Sequence, residues 1–148
     1  MNIFFKYRLY GRSRGRGKNN EITIDYKKVK FKNINPAEYN IIDIGPGFGE
    51  STIEISRYNN NHKSIIACEK YIDGVNKITE KILTHAIKNI SIFNGNALQL
   101  IDQHCPKNSI SEIWLLFPDP WPKKRHQKRR LINEEFLHKI EKYMKKNC

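Results

Sequence analysis

Two short strings of this 148-residue sequence carry residues whose types and spacing could do chemistry. The first is Asp43-Ile44-Gly45-Pro46-Gly47-Phe48-Gly49. Glycines at that density let a backbone turn sharply and approach a ligand closely. Their spacing is GxGxG, not the GxGxxG of a dinucleotide-binding turn, and no Lys-Ser or Lys-Thr follows to make a phosphate loop. Taken alone, such a string also suits a purely structural turn. Glu69 comes roughly 20 residues later, where a carboxylate can accept both hydroxyls of a ribose. Asn96-Ala97 then brings an amide able to hydrogen-bond an adenine edge. The second string runs from Phe117 to Arg130, FPDPWPKKRHQKRR. Prolines bracket Asp119 and stiffen the backbone around its carboxylate. Trp121 offers a flat face on which a base can stack. Six of the eight residues from Lys123 to Arg130 are Lys or Arg, a grip for phosphates. The competing reading of that run is a solvated charged face on a proline-stiffened loop.

The elements that must position these residues follow from hydrophobic patterning. Tyr39 to Ile44 reads as a buried strand entering the glycine turn, and Glu50 to Tyr58 as a short helix with Ile53 and Ile55 partly inward. Ser64 to Cys68 is a second strand, ended by Glu69. Asp73 is expected to cap a helix from Gly74 to Lys88 that turns Val75, Ile78, Ile82 and Ala86 inward. Ile90 to Phe93 is a third strand, Ala97 to His104 a third helix, and Ser111 to Phe117 a fourth strand. A last amphipathic helix spans Asn133 to Lys145, with Phe136, Leu137, Ile140 and Met144 on one side. Strictly alternating strands and helices predict right-handed crossovers and a parallel α/β sheet. Asp43, Glu69, Asn96 and Asp119 then all fall at carboxyl ends of strands, the edge where open sheets of this kind bind ligands.

The glycine turn with its Pro46 resembles the S-adenosylmethionine site of class I methyltransferases. Phe117 to Arg130 is similar to the signature of bacterial tRNA (guanine-N7-)-methyltransferases, whose fourth strand ends in PDPW, then Pro or His, Lys, and an R-H-x-K-R-R run. The basic segment RLYGRSRGR near the N-terminus is a looser match to the same family. The resemblance implies a Rossmann-like, doubly wound class I methyltransferase sheet with S-adenosyl-L-methionine as cofactor. It implies methyl transfer to N7 of guanine 46, in the variable loop of tRNA. Asp43, Gly45, Gly47, Gly49, Glu69, Asn96, Ala97 and Asp119 become the expected cofactor-binding residues, with Asp119 also the candidate catalytic residue. Lys123, Trp121, Arg125, His126, Lys128, Arg129 and Arg130 become the expected substrate-binding residues, and no metal is expected. Asp43 and Asn96 stand where many members carry Glu and Asp; both replacements keep hydrogen-bonding capacity.

The family's domain continues with further strands and a second substrate-contacting region, so this chain is expected to be a C-terminally truncated form. The expected organisation is a basic arm, residues 1–32, and a partial methyltransferase domain, residues 33–148. Without the later strands, Ile113 to Phe117 would lie on an uncovered sheet edge, which predicts self-association or a partner segment that completes the sheet. Two other readings stay open: a remnant that binds RNA or cofactor without turnover, and a nicotinamide-dependent Rossmann enzyme.

Composition narrows the classes. Hydrophobic residues are 39% and charged residues 28%, a globular rather than disordered balance. A net charge of +12 suits a polyanionic partner, although Lys and Asn richness also follows from an AT-rich genome. Cys68, Cys105 and Cys148 are too far apart for a zinc motif and odd in number, which fits a reducing compartment. No apolar stretch is long enough to span a bilayer, and the expected location is the cytoplasm.

Overall fold

The computed structural model describes residues 24–59 and 62–146. Most of the basic arm, including RLYGRSRGR, and Cys148 lie outside them. Four strands, β1 (Asn40–Ile44), β2 (Ser64–Glu69), β3 (Ile90–Asn94) and β4 (Glu112–Trp114), form one sheet. The helices are α1 (Glu50–Tyr58), α2 (Ile72–Thr84), α3 (Ala97–His104) and α4 (Glu134–Glu141). Every pairing is parallel and the order is β3-β2-β1-β4, so the chain winds outward in both directions from β1. This is the α/β fold with a doubly wound parallel sheet that the alternation predicts.

β1 and β2 are buried along nearly their whole length because both faces of these strands are covered. Ile41, Ile65, Ala67 and Ile92 pack with Ile53 of α1 and with Val75, Ile78 and Ile82 of α2. Ile42, Ile44, Ile66 and Cys68 meet Leu100 and Ile101 of α3 and Phe136 of α4. Alternate side chains of each strand thus feed two separate cores. Val29 and Phe31, assigned by sequence to the arm, are buried in these cores, and Lys30 bridges to Ile92. Compact packing therefore begins before residue 33.

Several boundaries differ from the sequence reading for local physical reasons. Tyr71, not Asp73, occupies the N-cap of α2, and Asp73 sits in the first turn, where its charge suits the helix dipole. The helix stops at Thr84, and Ala86 is exposed at φ 50° rather than turned inward. β4 ends at Trp114, because Phe117 breaks the extended backbone with φ 50°. The basic run forms a 3-10 helix over Lys124–Arg129 rather than an open loop. α4 is shorter than expected; Asn133 caps it by accepting from the Phe136 N–H at 2.8 Å, and Leu137 faces solvent.

The outer side of β4 is not bare along its whole approach. Beyond α4 the backbone returns beside Ile110, where Met144 forms a parallel bridge. The Ser109 and Ile110 N–H groups donate to the Tyr143 carbonyl, each at 2.9 Å, and the Lys145 N–H donates to the Ile110 carbonyl at 2.7 Å. Those ladder bonds were not expected from the sequence. Among the described residues, Glu112–Trp114 pairs with β1 alone.

Candidate functional site

A cavity of about 530 Å³ opens at the carboxyl edge of the sheet, between the glycine turn and the loop that follows β4. Its floor begins at Ile44 and Gly45, and the ends of β2 and β3 contribute Glu69, Asn96 and Ala97. Its other wall is Leu115 to Asp119, Trp121, Lys128 to Arg130, and Phe136 of α4. Residues far apart in sequence converge here because parallel strands all end on the same edge.

The glycine turn is held from two sides. Glu69, only 7% exposed, accepts the Gly47 N–H at 2.9 Å and the Lys70 and Tyr71 N–H groups, each at 2.7 Å. One carboxylate therefore ties the turn to the chain entering α2. Gly49 forms the N-cap of α1 at φ 83°, and a side chain there would meet Ile78 Cγ1 at 2.6 Å. Gly74, on α2, faces the turn from below; a Cβ would lie 2.5 Å from the Gly47 carbonyl oxygen. This second contact requires glycine for close approach and not for its dihedral freedom.

Asp43 lies beneath the turn at 1% exposure. The Thr52 hydroxyl donates to its Oδ2 at 2.7 Å and the Ser51 hydroxyl at 3.2 Å. Burial pushes its carboxyl above the usual range and nearby Glu69 adds to the rise, while the two hydroxyls oppose it. Oδ1 of Asp43 is buried and has no hydrogen-bond partner among the described residues. The same holds for Nδ2 of Asn96, whose Oδ1 caps α3 by accepting the Leu98 N–H at 2.8 Å. A buried polar atom without a partner costs about 1–3 kcal/mol. The Asn96 donor borders the cavity and is placed for a polar ligand, whereas Asp43, like Gly47 and Gly49, is not among the residues that line it.

Asp119 stands exposed at the cavity rim. The basic segment divides. Lys128, Arg129 and Arg130 line the cavity, while Lys123, Arg125 and His126 are not part of its wall. Trp121 does not present both faces for stacking: the Arg129 guanidinium lies 4.9 Å over its ring, and His126 meets it edge-on at 5.5 Å. The Arg130 Nη2 also donates to the Trp121 carbonyl at 3.3 Å. Cation–π attraction folds the basic 3-10 helix back on the PDPW loop. Sequence reasoning missed Ser51 and Thr52 as partners of Asp43, Gly74 as a spacer, and Phe136 as part of the wall. A Ser-Thr pair in the first turn after the glycines was a readable signal for the first two; nothing local announced the others.

Known proteins resemble this chain in sequence and in fold. A family model described as "Putative methyltransferase" matches residues 37–148. The tRNA (guanine-N(7)-)-methyltransferase of Wolbachia pipientis wMel is 42% identical over 101 residues, covering 68% of this chain and 45% of that protein. The one from Hydrogenovibrio crunogenus is 33% identical over 126 residues, 83% of this chain and 51% of that protein. The chain thus spans about half the length of the curated relatives it matches. Among solved structures, an S-adenosylmethionine-dependent methyltransferase from Aquifex aeolicus superposes with a TM-score of 0.54 at 16% identity. That match covers 81% of this chain and 65% of the other, and establishes likeness of fold.

Proposed function

Because the chain belongs to the methyltransferase family that matches residues 37–148, the family of the tRNA (guanine-N7-)-methyltransferases, we propose that it binds S-adenosylmethionine and methylates N7 of a guanine in tRNA. The finer assignment is guanine 46 of the variable loop. The observation that carries this reading is one cavity shared by Glu69 and Asn96 on one side and by Asp119, Lys128, Arg129 and Arg130 on the other. Adenosine-binding chemistry and phosphate-binding chemistry meet there.

The residues present fit the cofactor. Glu69 keeps one lone-pair site, on Oε2, for a ribose hydroxyl after its three backbone bonds, and the unpartnered Asn96 Nδ2 can donate to a ring nitrogen of adenine. The bound cofactor supplies an electrophilic methyl group on a sulfonium. Guanine N7 carries a free lone pair in the neutral base, so no proton has to leave before attack and no general base is required. The protein's task is alignment and exclusion of water. Asp119 orients the guanine edge or the cofactor amine, and its negative charge suits the positive charge that develops on the base. Lys128, Arg129 and Arg130 hold the flanking phosphates.

The test is transfer of labelled methyl from S-adenosylmethionine to unmodified tRNA, with mapping of N7-methylguanine. Methylation at guanine 46 is the expected result. Binding of tRNA and cofactor without transfer would leave a non-catalytic RNA-binding protein in its place. Preference for a nicotinamide dinucleotide over S-adenosylhomocysteine would overturn the reading altogether.

A further inference from the structure

The PDPW loop holds two aromatic residues in equivalent local settings. Phe117 precedes Pro118 and Trp121 precedes Pro122. Both have left-handed backbones, at φ 50° and φ 39°. A following proline steers the preceding residue towards extended conformations, and bulky side chains rarely adopt positive φ. The loop therefore holds each ring against its local backbone preference. For Trp121 the compensation is visible: Arg129 lies over its ring and His126 against its edge. For Phe117 no such contact exists among the described residues, and the residue is 98% exposed. Backbone strain combined with a fully solvated aromatic ring is unfavourable twice over, and strain of this kind collects at ligand-binding positions.

Phe117 also forms part of the cavity wall, together with Asp119. Lys128, Arg129 and Arg130 bring positive charge to the same cavity. A flat apolar face next to cationic side chains is how proteins hold unpaired nucleotides, with stacking for the base and charge for the phosphates. We propose that Phe117, and not Trp121, is the stacking platform for the target purine base of the RNA. This rests on the RNA-substrate reading above and adds the residue that holds the base. The ring spends the free state in water because its partner is the substrate.

The experiment uses the full chain and a single-stranded oligonucleotide carrying one 2-aminopurine in place of guanine, whose fluorescence is quenched by stacking. Phe117→Tyr keeps the ring, Phe117→Leu keeps apolar bulk without it, and Phe117→Gly relieves the backbone while removing the ring. Quenching by the parent and Phe117→Tyr, lost in Phe117→Leu and Phe117→Gly, is expected. Oligonucleotide affinity should fall about 5- to 100-fold in the latter two, the range of one base–aromatic stack. Affinity for S-adenosylhomocysteine should stay the same in all four proteins. Quenching by Phe117→Leu equal to the parent's overturns the proposal, as does absence of quenching by the parent. A parallel loss of S-adenosylhomocysteine affinity also overturns it, by assigning the ring to the cofactor. Failure of methyl transfer with quenching that still depends on Phe117 would sink the proposed activity and leave this inference standing.

Discussion

Replacing Glu69 with Gln tests whether one carboxylate both shapes the glycine turn and holds the cofactor. Three N–H donors, from Gly47, Lys70 and Tyr71, converge on its two oxygens at 2.7–2.9 Å. An amide of the same shape has a single oxygen. If that oxygen keeps Lys70 and Tyr71, the new –NH2 group faces the Gly47 N–H, donor against donor. One charged hydrogen bond, about 1.5–3 kcal/mol, is then lost, and two others weaken to neutral ones at about 0.5–1.5 kcal/mol each. Such terms are not additive in a connected group. Water can also reach a site with 7% exposure. The expected net loss is about 2–4 kcal/mol, a fall in Tm of about 6–12 °C for a chain of this size. Affinity for S-adenosylhomocysteine should fall about 10- to 100-fold, because the ribose loses its charged acceptor and the turn loses its tie. Thermal melting without ligand and titration calorimetry read the two effects separately. A variant that melts within about 2 °C of the parent refutes the tie between Glu69 and the turn. Unchanged affinity in a folded variant removes Glu69 from the cofactor site.

Gly74→Ala should cost about 1–3 kcal/mol through overpacking against the Gly47 carbonyl, offset by about 1 kcal/mol of helix propensity. It should therefore lower Tm by up to about 6 °C while weakening S-adenosylhomocysteine binding in calorimetry, and equal affinity would show that the turn can yield. Glu112 accepts from Tyr39, Trp114 and Lys63 at 2.6, 2.7 and 3.2 Å; burial raises its pKa, but these bonds together hold it below the usual carboxylate value. A carboxyl with a depressed folded pKa stabilises above its unfolded pKa and loses that contribution as pH falls through the folded one. Glu112→Gln should thus lower Tm at pH 7, with the difference from the parent closing below about pH 4; a constant difference across that range would remove the charge from the explanation. Changing Arg125, Lys128, Arg129 and Arg130 together to Ala should flatten the log–log salt dependence of tRNA binding by about 0.7–0.9 for each phosphate left without its cation. An unchanged slope would make the run a solvated face.

The order of strands and helices was readable from sequence because burial on both faces leaves largely apolar runs such as Asn40–Ile44 and Ser64–Glu69, the first of them ended by Gly45-Pro46. The candidate cofactor residues were readable for a related reason: a parallel sheet puts the end of every strand on one edge, so position along the chain already implies proximity in space. α3 was placed to the residue, since Asn96 is a good cap and Leu100 and Ile101 keep helical spacing. The ends of α2 and β4 were not readable, because Ala86 and Phe117 adopt positive φ that their residue types disfavour locally.

What the sequence by itself determined is the fold class, the strand-end positions of Asp43, Glu69 and Asn96, and the basic character of the segment after β4. These depend on side-chain type and short-range spacing. What only the tertiary structure decided is how those groups are used. Glu69 ties down the glycine turn, Arg129 covers a face of Trp121, and Phe117 is left exposed at the rim. Ile110 gains a neighbour from beyond α4. Each of these depends on packing across loops or between elements distant in sequence. A hydrogen bond or ring contact depends on distances set by the packing of the whole sheet, and no local pattern encodes those distances.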